Sequence, residues 1–190
     1  MRLFVAVDLA PEAVAEAARV ADEIRRRAHA DLRWIRPANM HLTVRFIGPV
    51  AEHVGTLIAT LSKPVDVNPF DLSLAACGAF PPAGAVRVVW IGVGSGVREL
   101  TRVSAVMDER LRTFGFEPEA RGFSPHLTLA RAPRDARIPR ALRDTLAHVA
   151  VRPMVTRVTQ AFVYESRLSP RGAHYEPLAA IPLSGESQLH

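Results

Sequence analysis

The 190-residue sequence predicts an α+β fold made of two similar lobes, and three observations predict it. Strand-like alternation and helix-like spacing of apolar residues interleave along the chain, which argues for mixed layers. The run Phe80-Pro81-Pro82-Ala83-Gly84 lies between two strand-like stretches and reads as a hairpin turn, which a purely parallel sheet would lack. A short motif occurs twice, His41-Leu42-Thr43-Val44 and His126-Leu127-Thr128-Leu129, 85 residues apart. Strand and helix patterns precede both copies, so the two occupy equivalent positions in two lobes.

The elements run in order. Phe4 to Leu9 alternates as a buried first strand that stops at Pro11. Val14, Ala17, Ala18, Ala21 and Ile24 then recur at helical spacing; Pro11 and Glu12 suit that helix's start, and Arg25–Arg27 suit its end through the dipole. Asp31–Ile35 and Met40–Ile47 read as strands, the second closing at Gly48-Pro49. Val54, Leu57, Ile58 and Leu61 mark a short helix. Phe70–Cys77 and Val86–Val93 form the hairpin strands. Gly92, Gly94 and Gly96 precede a helix carrying Val97, Leu100, Met107, Leu111 and Phe114; the run reads as a strand-to-helix turn, and as a phosphate loop it lacks the lysine. Phe123–Ala130 holds the second motif. Ile138, Leu142, Leu146 and Val149 predict a helix with Pro139 near its first turn, and strands at Val155–Glu165 and Tyr175–Leu183 finish the fold before a polar tail from Ser184.

Composition narrows the function classes. The longest apolar runs are too short to span a membrane, and the first residues read as a strand rather than a secretion signal. A single cysteine, Cys77, forms no internal disulfide. A cytoplasmic, monomeric protein is therefore expected. Net charge is +5, and 23 of the 24 basic residues are arginine. Arginine matches phosphate oxygens bidentately, so the charge permits an RNA partner.

The motif carries the chemistry. In a strand, residues i and i+2 share a face. His41 and Thr43 therefore point one way, as do His126 and Thr128, while Leu42, Val44, Leu127 and Leu129 anchor the strands in the core. Each strand thus offers an imidazole beside a hydroxyl. A hydroxyl donates a hydrogen bond to a phosphate oxygen without activation, and histidine serves as acid or base near neutral pH. Two such pairs facing each other make a phosphate site flanked by an acid and a base; which histidine is which stays open by symmetry. No cysteine cluster, His-Glu-x-x-His or acidic triad accompanies the motifs, so neither a metal nor another cofactor is expected. On a regular strand Arg45 shares the face of His41 and Thr43, whereas Arg131 is out of phase and reaches the site only where its strand bends near Ala130. Trp34, Phe46, Phe80 and Tyr175 are the aromatic candidates for stacking a base.

The segments Arg33–Gly48 and Phe123–Arg131, together with Glu165–Tyr175 and the opening Arg2–Val7, resemble the two-histidine phosphoesterase superfamily. Within it they resemble the bacterial and archaeal RNA 2′,3′-cyclic phosphodiesterases, historically called 2′-5′ RNA ligases. The likeness spans nearly the whole chain, and no motif position departs from it. It implies one two-lobed domain over residues 1–190 with pseudo-twofold symmetry, each lobe an antiparallel-rich sheet with helices outside and a catalytic cleft between. It implies metal-independent hydrolysis of a 2′,3′-cyclic phosphate at an RNA end to a 2′-phosphate. By this likeness His41 is the proton donor, His126 the proton acceptor, and Thr43 and Thr128 bind the phosphate, with Arg45, Arg131 and Tyr175 as further substrate contacts. Two alternatives stand beside it: 2′-5′ ligation by the reverse reaction, and an RNA- or nucleotide-binding module without turnover.

Overall fold

The computed structural model describes residues 1–119, 122–169 and 172–185. Nine strands form one sheet: β1 (Arg2–Val7), β2 (Arg33–Trp34), β3 (Leu42–Pro49), β4 (Phe70–Phe80), β5 (Val88–Ser95), β6 (His126–Arg131), β7 (Val155–Val158), β8 (Gln160–Ser169) and β9 (Gly172–Pro182). Their order is β7-β4-β5-β6-β3-β1-β8-β9, with β2 also on β6, and every strand pair is antiparallel. The helices are α1 (Pro11–Ala28), α2 (Val54–Leu61), α3 (Val97–Arg112) and α4 (Leu142–His148).

The order is a palindrome about its centre. One lobe is β3-β1-β8-β9, the other β6-β5-β4-β7, and the motif strands β3 and β6 meet through one pair, Leu42 opposite Leu127. Those two side chains are essentially inaccessible to solvent. Truncating either to alanine removes ~2–5 kcal/mol, the usual cost of a large core leucine.

Each motif strand is reached by the same path, strand–helix–antiparallel neighbour: β1–α1–β3 and β5–α3–β6. The helices do not stay with their own lobes. Ala13, Ala17, Val20 and Ile24 of α1 pack with Leu127 and Leu129 of β6 and with α4. Leu100, Val103, Met107 and Leu111 of α3 pack with Leu42 and Val44 of β3 and with α2. Each lobe thus buries its motif leucines under the other lobe's crossover helix, which locks β3 and β6 side by side.

Local chemistry accounts for the boundaries. Pro11 opens α1 at a position whose N–H would be unpaired in any case, and Arg25–Arg27 fill its last turn. Gly96 precedes α3 at φ +86°, a backbone that glycine adopts without penalty. Gly92 and Gly94 belong to β5, and the run is a strand end rather than a phosphate loop. Four expected elements are shorter or divided. The strands expected over Asp31–Ile35 and Phe123–Ala130 are confined to Arg33–Trp34 and His126–Arg131. The helix expected from Ile138 starts at Leu142, because Pro139–Leu142 closes as a turn (Leu142 N–H to Pro139 O, 3.1 Å). The strand expected over Val155–Glu165 splits at Thr159, whose carbonyl accepts from Leu183. The tail lies outside the described residues from position 186, as do Pro170 and Arg171.

Candidate active site

The seam between β3 and β6 assembles the site. With Leu42 opposite Leu127, the antiparallel register sets His41 across from Thr128 and Thr43 across from His126. The two imidazoles therefore sit on one diagonal of a block of four and the two hydroxyls on the other. All four side chains are half-buried.

Both strands then slip by one residue in the same place. Against β1, Thr43 pairs with Ala6 but Arg45 with Val5; against β5, Thr128 pairs with Trp90 but Ala130 with Val89. Such a bulge sets two residues of one strand against one of its partner and re-aims the side chains beyond it. Val44 and Arg45 both turn inward, as do Leu129 and Ala130. Phe46 and Arg131 return to the site face.

This corrects the placement of Arg45. A regular strand would set it beside Thr43; the bulge sends it inside, where it is 6% exposed. There it bonds the Asp108 carboxylate (2.5 Å), Glu119 (3.3 Å) and the carbonyls of Phe46 and Glu117. A buried charge is tolerated only with such partners. Arg45 therefore ties β3 to α3 and to the loop beyond it, away from the cavity.

A cavity of about 110 Å³ opens over the block. His41, Thr43, Thr128 and Arg131 supply its polar wall with Asn39 and Ser166; Phe4, Ile35, Phe46 and Tyr175 supply the apolar one. His126 occupies the next site-facing position beyond Thr128. A larger cavity of about 520 Å³ lies on the far side of His41, bounded by Asp8, Met40 and Tyr164, and His41 and Tyr175 border both.

Each histidine is held by its own backbone. Nδ1 of His126 lies 2.7 Å from the Ser124 carbonyl, and the His41 ring bonds the backbone of Asn39. In both cases the partner is two residues upstream. A carbonyl only accepts, so at His126 Nδ1 carries the hydrogen and Nε2 is left free of that contact. Aromatic rings fix the planes. His41 stacks on Phe4 (4.9 Å, 28°) and meets Tyr175 edge-on (5.0 Å, 86°). His126 meets Phe80 edge-on (5.0 Å, 81°) beside Trp90 (6.4 Å). Trp90 has room because residue 78 is glycine; a Cβ there would approach the indole to 2.3 Å. Phe80 is thus engaged with His126, and Trp34 lies against Arg25, outside the cavity lining.

The electrostatics break the symmetry. Burial holds His41 below the ordinary imidazole value; the Asn39 carbonyl and the Asp8 carboxylate oppose that, and the Arg131 charge adds to it. Burial also depresses His126, with the Ser124 carbonyl opposing and Arg131 adding; among the described residues no carboxylate acts on it. Asp8 is in turn fixed by Tyr164, whose hydroxyl donates to its carboxylate (2.7 and 2.9 Å). Among the described residues no three His, Cys, Asp or Glu side chains group as metal ligands. Burial pushes the Cys77 thiol up to about 11, which leaves it protonated at neutral pH.

Residues 8–168 match the model of the 2′-5′ RNA ligase superfamily. The chain belongs to that superfamily. Curated relatives named RNA 2′,3′-cyclic phosphodiesterase include one from Aeropyrum pernix, 31% identical over 93% of this chain and 99% of its own. Another, from Archaeoglobus fulgidus, is 36% identical over 70% of this chain and 74% of its own. Among solved structures, a Thermus thermophilus protein aligns with a TM-score of 0.79 at 25% identity, over 98% of this chain and all of that one. Escherichia coli LigT in apo form aligns at 0.74 with 26% identity, over 96% and 97%. Superfamily membership agrees with the two-lobed α+β architecture and with the resemblance carried by the doubled motif. Asp8, Asn39, Ser166 and Tyr164 were not singled out by sequence reasoning; of these only Asn39 lies beside a motif.

Proposed function

We propose that this superfamily member hydrolyses 2′,3′-cyclic phosphates at RNA ends to 2′-phosphates without a metal, using His126 as base and His41 as acid. The observation that carries this reading is the pair of His-x-Thr strands that meet on the β3–β6 seam, each imidazole held by a backbone group two residues upstream. The curated relatives support the reaction class through their names.

In the reaction, Nε2 of His126 takes a proton from water as its oxygen attacks phosphorus. The bond from phosphorus to the 3′ oxygen breaks on the opposite side. Nε2 of His41 delivers a proton to that oxygen, leaving a 3′-hydroxyl and a 2′-phosphate. Thr43 and Thr128 donate to the non-bridging oxygens, and Arg131 adds positive charge on the same wall. Asp8 favours the imidazolium at His41 alone, which supports the acid role there. The reverse reaction, with a 5′-hydroxyl in place of water, uses the same groups and would form a 2′-5′ bond. It stays minor because water is present at far higher concentration.

The test is hydrolysis of a short RNA ending in a 2′,3′-cyclic phosphate, in excess EDTA, with the product's phosphate located by NMR. A 2′-phosphate is expected. A 3′-phosphate would mean that the other bond breaks and the acid assignment is reversed. No product in EDTA, with activity restored by a divalent ion, would overturn the metal-free mechanism.

A further inference from the structure

Arg131 closes the cavity wall, and the chain beyond it has an unusual pattern. Arginine recurs every third residue: Arg131, Arg134, Arg137, Arg140 and Arg143. The segment holds five arginines against one carboxylate, Asp135, a surplus of four in a chain whose net charge is +5. The segment is thus strongly basic, and it starts at the site.

The loop is built rather than slack. Its sequence contains Pro-Arg-x-x-Arg twice, at 133–137 and 139–143. Each proline carbonyl accepts from the residue three further on, Ala136 N–H (3.2 Å) and Leu142 N–H (3.1 Å). Arg134 and Arg140 therefore stand at the second position of a turn, where a side chain projects outward. Arg87 pins the first turn by donating to the carbonyls of Pro133 and Arg134 (3.3 and 3.1 Å). Arg143 pins the far end by donating to the carbonyls of Pro81 and Gly84 (2.8 and 3.1 Å). Arg134, Arg137 and Arg140 are exposed, and among the described residues none of them pairs with a carboxylate. Arginines on α1 behave differently: Arg19, Arg25 and Arg27 are neutralised by Glu16, Asp22 and Glu23.

We propose that the 131–140 loop is a docking track for the phosphodiester backbone of the RNA strand whose cyclic end enters the cavity, so that the enzyme prefers single-stranded oligomers to mononucleotides. This deepens the proposed function and rests on it. Arginine suits the task because its planar fork binds phosphate oxygens in pairs. A pinned loop also loses little freedom on binding. Each phosphate neutralised on a single strand steepens the dependence of log affinity on log salt by ~0.7.

The test compares a nucleoside 2′,3′-cyclic monophosphate with a short single-stranded RNA ending in the same group, across a salt series. The variant R134Q/R137Q/R140Q is set against a control that removes three α3 arginines, R98Q/R102Q/R112Q. The track variant is expected to raise KM for the oligomer about tenfold or more at low salt and to flatten its salt slope by ~2, for three lost phosphates. Mononucleotide kinetics should not change, and the control should leave the oligomer slope intact. An unchanged oligomer KM and slope, or equal effects from the control, would overturn the track. If the wild-type protein hydrolyses neither substrate, the catalytic reading fails instead. The track is then judged by fluorescence anisotropy on the same oligomer with a 3′-hydroxyl end, where the same loss of slope is expected.

Discussion

The two motif strands are the same device used twice, and it is in their neighbours that they differ. β3 and β6 each carry His-x-Thr, a buried leucine between, and a bulge directly after the threonine. The position after the bulge is Phe46 on one strand and Arg131 on the other. The inward position within it is Arg45 on one and Ala130 on the other. Asp8 acts on His41 and, among the described residues, has no counterpart at His126. The scaffold repeats one imidazole-bearing strand twice; in the proposed mechanism the asymmetric neighbours decide which imidazole holds the proton at the start.

The largest effect comes from removing the part the strands share. His41→Ala and His126→Ala are each expected to lower kcat by ~10²–10⁴-fold, the usual worth of one positioned proton transfer. Circular dichroism should stay unchanged, since both rings are half-buried side chains outside the two hydrophobic cores. The comparison can be sharpened with a substrate whose leaving group needs no proton, such as a p-nitrophenyl phosphodiester of a ribonucleoside. There the His41 variant should recover most of its rate and the His126 variant should not. Equal losses on both substrates would break the division of roles.

A smaller effect isolates the asymmetric neighbours. Asp8→Asn removes the carboxylate that favours the imidazolium at His41, so His41 should titrate at lower pH while His126 keeps its midpoint. Arg131→Gln removes a positive charge that disfavours both imidazolium forms, so both midpoints should rise. The ring C–H resonances of the two histidines, followed by NMR against pH, read both outcomes. The alkaline limb of kcat/KM should move with His41, downward for Asp8→Asn. A His126 midpoint that moves with Asp8→Asn as far as that of His41 would remove the proposed basis for the acid assignment.

How much of the molecule was legible in the chain depends on the range of the forces involved. The His-x-Thr alternation needs only the two-residue period of a strand. The long helices α1 and α3 announce themselves through apolar spacing and terminal charge. The bulges were illegible because a register slip belongs to the pairing of β3 with β1 and of β6 with β5, not to either strand alone. That is why Arg45 was expected in the site and is found bound to Asp108. The exchange of α1 and α3 between lobes is likewise a matter of tertiary packing. Asp8 carried no signal in the sequence because its partner Tyr164 stands 156 residues away.

The smallest expected effect tests both strands at once through folding. Burial depresses His41 and His126 below ~6.5, the value of an unperturbed imidazole. As pH falls through that value the unfolded chain binds two protons that the folded chain still refuses. The stabilisation these neutral rings carry is therefore complete above about 6.5 and lost as pH drops toward their folded values. Urea midpoints measured between neutral and mildly acidic pH should decline more steeply for the wild type than for H41Q/H126Q, which has no imidazole at either position. A single replacement should remove part of the difference. Comparing H41Q with H126Q apportions the effect between the two rings without any substrate. Parallel curves for wild type and double variant would mean that the folded protein accepts both protons as readily as the unfolded chain, and that the burial of the two rings exerts no force on their protonation.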